Sequence, residues 1–180
     1  MKVAALQYAS GTDVNENLQT CLRMIDRASG AAPDLMVMPE FSNHISWYDD
    51  AEHAWTVALD LDGQFLAAIA GRAARYDCYI VINVSLRRDN GTITVTSLCF
   101  DPQGQLAGLA DKQTLMGHEN TWFARADVNA DLVDTPFGRI AMFPCRDGVT
   151  CETPRGLALR GARLFCDSLN SFALDEASLH

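Results

Sequence analysis

The chain has 180 residues, nearly half of them apolar and about a fifth charged, which suits one domain with a real core and no disordered tract. Fourteen basic residues against twenty-three acidic ones leave a net charge of −9, which argues against nucleic acid or an anionic membrane as a partner. No early stretch has signal-peptide form and no later run is long enough to span a bilayer, so a cytoplasmic protein is expected.

Residues 3–8 read as a buried first strand, turned by residues 11–13. Asp13, with Glu16 three residues on, has the form of a capping box. Val14, Leu18, Cys21, Leu22 and Ile25 then share one helical face, and Gly30 and Pro33 end the helix. Residues 34–38 form a second strand that stops at Pro39-Glu40-Phe41. Strand, helix and strand in this order predict a parallel βαβ unit. Residues 41–55 are a long polar and aromatic connection containing Trp47 and Trp55, either a substrate wall or a surface loop. A second helix carries Phe65, Leu66, Ile69 and Ala73 on its inner face, and residues 79–85 are a third strand. Asn90-Gly91 marks a hairpin, with residues 92–100 as the β-branched return strand. A turn at residues 101–104 leads to a short strand over 105–110.

Residues 111–126 have no clean period and carry Lys112, His118, Glu119, Trp122 and Phe123. Residues 130–135 and 139–143 are strands around a turn at Pro136-Phe137-Gly138. The second strand runs into Cys145-Arg146-Asp147, where a rigid strand would hold a nucleophile and a turn would expose its sulfur. Free cysteine is also among the most buried residue types, so a core thiol is the alternative. One helix is expected beyond Cys145, ending at Gly161, followed by a last strand over 162–166 that leads to residues 168–171. With no repeat or linker, residues 1–180 read as a single α/β domain.

Cys21, Cys78, Cys99, Cys145, Cys151 and Cys166 form no CxxC pair and read as reduced thiols. The four histidines, His44, His53, His118 and His180, lack ligand spacing, so no metal site is expected. Glu40, Lys112 and Cys145 each stand just past a strand-like run, where side chains of a layered α/β fold converge on a crevice. A thiol is mostly protonated at neutrality. A carboxylate can accept its proton, and an ammonium can stabilise a developing oxyanion. Taken singly, Glu40 could be a loop charge and Lys112 a solvated surface lysine.

Four blocks, in order, resemble the nitrilase or carbon–nitrogen hydrolase superfamily. Lys2-Val3-Ala4-Ala5-Leu6-Gln7 is similar to its opening strand, and Asp34-Leu35-Met36-Val37-Met38-Pro39-Glu40-Phe41 to the block bearing its catalytic glutamate. Asp111-Lys112 with Leu115 and Glu119 resembles the lysine block. Residues 138–145, followed by Asp147, Glu152, Arg155, Leu157, Leu159, Gly161 and Ala162, resemble the block around the nucleophile. The resemblance implies a nitrilase-like α-β-β-α sandwich and attack by Cys145 on an amide, carbamoyl or nitrile carbon. It implies Glu40 as base, Lys112 and the Arg146 N–H as oxyanion donors, and Glu119 positioning substrate or orienting the lysine. It also implies no cofactor, a small-molecule amide or carbamoyl substrate, and a homo-oligomer.

The match covers almost all of this chain but only the N-terminal part, about two-thirds, of a family domain, so a C-terminally short sandwich is expected. A catalytically silent binding or assembly module is the competing expectation. Arg146 stands where an aromatic residue is common, and Cys151 replaces a proline before Glu152. The lack of tryptophan directly after Cys145 favours amides or carbamoyl compounds over nitriles. His44 and His118 are expected to be structural or exposed.

Overall fold

The computed structural model of the chain describes residues 1–127 and 130–170. Its first sheet contains β1 (Val3–Ala5), β2 (Leu35–Val37), β3 (Tyr79–Arg87), β4 (Ile93–Phe100) and β5 (Leu106–Asp111), in that spatial order. β1, β2 and β3 pair in parallel, whereas β3–β4 and β4–β5 are antiparallel. Two reversals return β5 to the direction of β2, so the C-terminal ends of both strands lie at one edge. That shared direction is what lets Glu40 and Lys112 meet.

Three helices come before or between these strands: α1 (Val14–Ser29), α2 (Ala51–Val57) and α3 (Gln64–Tyr76). Asp13 caps α1, its carboxylate accepting the N–H groups of Asn15 and Glu16. Cys21 and Ile25 of α1 pack with Phe65, Leu66, Ile69 and Ala73 of α3 against Ile80, Ile82, Val84 and Leu86 of β3. The period of two in β3 turns those four residues toward the helices. Val81, Asn83 and Ser85 therefore face the other way.

The second sheet holds β6 (Leu132–Thr135), β7 (Gly138–Pro144) and β8 (Leu164–Ser168), with β7 antiparallel to β6 and parallel to β8. Val81, Cys99 and Ala110 of the first sheet share a core with Ile140, Ala141, Met142 and Phe143 of β7. A Cβ added to Gly108 would lie 2.6 Å from a Val133 methyl, so glycine permits the close approach of the sheets there. Ser168 Oγ donates to the Met38 carbonyl at 2.9 Å and ties β8 to the end of β2. The result is an α-β-β-α sandwich. Among the described residues, no helix is long and apolar enough to cross a membrane.

Four sequence expectations change. The first strand is three residues long and mostly exposed, because β1 is an outer strand with β2 alone beside it. Trp55 lies on α2, not in a loop; Asp50 starts this short helix by accepting the His53 N–H. The helix beyond Cys145 is two pieces, α4 (Arg146–Val149) and α5 (Glu152–Leu159). The last strand is displaced by two residues, to Leu164–Ser168. Ser171, expected beyond that strand, lies outside the described residues.

Candidate active site

Glu40, Lys112 and Cys145 come together although 72 and 33 residues separate the successive pairs in sequence. Lys112 is the residue directly after β5, and its own N–H continues the ladder by donating to the Val95 carbonyl at 2.8 Å. Its side chain is fully buried. Nζ donates to Glu40 Oε1 at 2.7 Å and to Glu119 Oε1 at 2.8 Å. The Phe41 ring lies 5.8 Å from the same ammonium. Glu119 sits on a 3-10 helix, His118–Thr121, and its second oxygen accepts the Met116 N–H at 2.7 Å. Both its oxygens are thus engaged, one on the lysine and one on the loop that carries it.

Cys145 follows β7 directly and adopts φ 47°, ψ −101°, outside the regular regions. Neighbouring backbone holds it there. Its N–H lies 3.0 Å from the Ser168 carbonyl and 2.7 Å from Asp167 Oδ1, while its carbonyl accepts the Gly148 N–H at 2.9 Å. The Asp167 carboxylate needs a glycine opposite: a Cβ at Gly148 would meet Asp167 Oδ2 at 2.6 Å. Arg146 opens α4 and its side chain is exposed.

Asp147 was noted in the sequence only as part of a matching block. It is buried, and its two oxygens accept the N–H groups of Gln113 at 2.9 Å and Thr114 at 2.6 Å. One carboxylate thereby joins the start of α4 to the segment just beyond Lys112. Its position two residues past Cys145, in an otherwise turn-like stretch, was the available signal.

The electrostatics follow from burial. Burial raises the Glu40 pKa to about 7, even though the Lys112 charge and hydrogen bond pull it down. Burial works against the Lys112 ammonium, but Glu40 and Glu119 outweigh it and the net shift is upward. The Cys145 thiol is pushed up to about 12, first by burial and then by the Glu40 charge, with Lys112 opposing. The thiol and the Glu40 carboxylate lie close enough for each to shift the other's proton affinity. A neutral thiol beside a carboxylate that ionises near neutrality is a pair that can pass one proton when an electrophile arrives.

Glu40 also bears on stability. Its folded-state pKa lies above that of an unfolded glutamate, about 4.3. Its contribution is therefore full below roughly pH 4.3 and is lost as pH rises through about 7. Glu40→Gln cannot ionise, so the melting temperature of the variant relative to the parent should climb across that window. A difference that stays level with pH would contradict the raised Glu40.

Part of the aromatic segment after Glu40 lines a pocket to which none of Glu40, Lys112 and Cys145 contributes. Ser46, Trp47, Tyr48, His118, Thr121 and Trp122 line this pocket of about 250 Å³. Trp47 is 68% exposed there. His44 is fully buried and stacks on Tyr48, a structural placement. His118 bonds Ser46 Oγ through Nε2 at 3.2 Å.

The Carbon-nitrogen hydrolase family model matches residues 2–177. Among curated proteins, the chain is 25% identical over 185 residues to Nitrilase blr3397 of Bradyrhizobium diazoefficiens, across 92% of this chain and 57% of that protein. It is 27% identical over 161 residues to the deaminated glutathione amidase of Yersinia enterocolitica, across 81% and 54% respectively. The chain thus spans about half the length of these two relatives. Among solved structures, an amidase from Nesterenkonia sp. AN1 superposes with a TM-score of 0.81 at 22% identity, covering 99% of this chain and 70% of that one. The NitFhit protein of C. elegans superposes with a TM-score of 0.85 at 21% identity, covering 99% and 45%. At these identities the structural likeness speaks for the fold.

Proposed function

The chain belongs to the carbon–nitrogen hydrolase family, and we propose that it hydrolyses a non-peptide C–N bond in a small linear amide or carbamoyl compound through a thioester at Cys145. The observation that carries this reading is the buried Lys112 ammonium bonded to both Glu40 and Glu119, with the Cys145 thiol within electrostatic reach of Glu40 and Lys112. The amidase and nitrilase names of the relatives support the same class of acyl transfer. That the site draws on both sheets supports reading residues 1–180 as one domain.

In the proposed sequence, the Cys145 sulfur attacks the carbonyl carbon while its proton passes to Glu40. Lys112 and the Arg146 N–H hold the oxyanion. Glu40 returns the proton to the departing nitrogen, which leaves as ammonia or an amine. Water then gives Glu40 a proton, attacks the thioester and frees the carboxylic acid or carbamate, restoring the thiol. Glu119 keeps the lysine in line, and each step is a proton or acyl transfer among groups already present.

The proton logic sets the pH dependence. Protonated Glu40 cannot take the thiol proton, so kcat/KM should rise as pH passes through about 7. Ammonia release from a series of short linear amides between pH 5 and 9, with intact-mass detection of an acyl adduct on Cys145, tests both parts. A rate that does not change across pH 7 would remove Glu40 as base. No adduct and no ammonia from any amide or carbamoyl compound would remove the enzymatic reading.

One set of residues favours an additional reading, association between copies. Val149, Leu159, Phe165 and Leu169 are exposed on α4, on α5, on β8 and just past it. Sedimentation that gives a monomer across micromolar concentrations would refute it.

A further inference from the structure

The way β2 ends next to β3 points to a residue that no matching block contains. Met38 donates its N–H to the Val81 carbonyl at 2.9 Å, in regular parallel fashion. The next such bond would join the N–H of residue 40 to the Asn83 carbonyl. Instead the Asn83 carbonyl takes the Ser42 N–H, also at 2.9 Å. Two extra residues, Glu40 and Phe41, are therefore looped out between consecutive ladder bonds, in the manner of a bulge. Phe41 takes φ 55°, a left-handed conformation that costs a bulky residue energy and persists only where surroundings impose it.

The Asn83 side chain imposes it. Its Oδ1 accepts the Phe41 N–H at 3.1 Å. Its Nδ2 donates to Ser97 Oγ at 3.1 Å, and Ser97 is its direct partner across the β3–β4 ladder. Asn83 and Ser97 are both fully buried. Asn43 makes the matching clamp two residues along β3, donating to Ser85 Oγ at 2.8 Å and accepting the Ser85 N–H at 2.9 Å. An asparagine in the middle of Ile80-Val81-Ile82-Asn83-Val84 breaks an apolar run, and burial of its amide costs free energy unless each end is bonded.

We propose that Asn83 is the positioning residue for Glu40. It captures the Phe41 N–H that the bulge takes out of the ladder, and so fixes the Glu40 carboxylate on Lys112 and Cys145, and the Phe41 ring against the same ammonium. Glu40 is faced by Lys112 beyond β5, Glu119 on the 3-10 helix and Cys145 beyond β7, whereas Asn83 brings an uncharged amide from β3. The proposal rests on Glu40 acting as base, and its effect on turnover is geometric.

The experiment compares Asn83→Ala and Asn83→Asp with the parent, the aspartate keeping an oxygen for the Phe41 N–H. Two readouts are taken across pH 5 to 9: amide turnover, and the rate of Cys145 alkylation by iodoacetamide, mapped by mass spectrometry. In the alanine variant, kcat is expected to fall roughly 10- to 100-fold with KM nearly unchanged, the cost of a misplaced reacting group. The inflection near pH 7 should also shift in both profiles. The aspartate variant should keep most of the parent's alkylation rate. If the alanine variant does not fold, Asn83→Val, which likewise offers no acceptor and suits a buried strand, takes its place, with the same expectation. Parental kcat and an unmoved inflection in the variant that lacks the acceptor would overturn the proposal while leaving Glu40 as base. A Cys145 that alkylates in the parent no faster than the buried cysteines, without turnover, would overturn the catalytic reading and the proposal together.

Discussion

Cys145→Ala is expected to lower amide turnover by roughly 10⁴-fold or more, the scale seen when a covalent nucleophile is removed, while the chain stays folded. The backbone at this residue is unusual but does not depend on sulfur. Its N–H is held by Ser168 and Asp167 and its carbonyl by Gly148, and alanine can take the same φ and ψ as cysteine. The thiol itself is only partly buried, so little packing is lost. A melting temperature within a few degrees of the parent is expected, as for substitutions that leave the core intact. Circular dichroism on heating, with ammonia release at pH 8, checks both halves. Parental turnover in the alanine variant would exclude a thioester at this position, whatever the fold resembles.

Lys112→Met should be costly twice over. The side chains have comparable length, so packing is roughly kept, but the charge that faces two buried carboxylates disappears. Removing one partner of a buried ionic cluster typically costs about 3–5 kcal/mol, because the remaining charges are left uncompensated in a poor solvent. Glu40 would then hold its proton and could no longer accept one from Cys145. Loss of an oxyanion donor adds about 10²–10³ in rate. Adding Glu119→Gln to this variant removes a second carboxylate left without its ammonium and should recover part of the stability but none of the activity. Chemical denaturation of the single and double variants measures this. A Lys112→Met chain as stable as the parent would show that the carboxylates do not depend on the ammonium.

The three candidate catalytic side chains were legible because each stands where an apolar run meets a polar break. The run Leu35-Met36-Val37-Met38 ends at Pro39-Glu40, and Ile140-Ala141-Met142-Phe143 ends at Pro144-Cys145. Burial of the runs was readable from their composition alone, and so were the inner faces of α1 and α3. The short helices were less legible. Seven residues of α2 and four of α4 bury too little apolar surface to show a period, and their ends depend on local caps such as Asp50. The exposure of β1 could not be read from Val3-Ala4-Ala5 either, since the same residues would suit a central strand; its place at the sheet edge decided it.

The sequence by itself determined the strand-terminal positions of Glu40, Lys112 and Cys145, the amphipathic helices and the α/β class, because these follow from local periodicity and turn chemistry. Tertiary structure alone decided that β5 returns parallel to β2, so that Lys112 reaches Glu40 across 72 residues of chain. It also decided that the lysine lies between two carboxylates, that Asp147 binds the segment after Lys112, and that Asn83 holds the bulge after Glu40. Apart from the Lys112–Glu119 bond, these contacts join residues distant in the chain, and their strength comes from exclusion of water. Burial is a property of the assembled layers and not of any one segment, which is why a carboxylate and a thiol of ordinary type acquire pKa values near 7 and 12 only there.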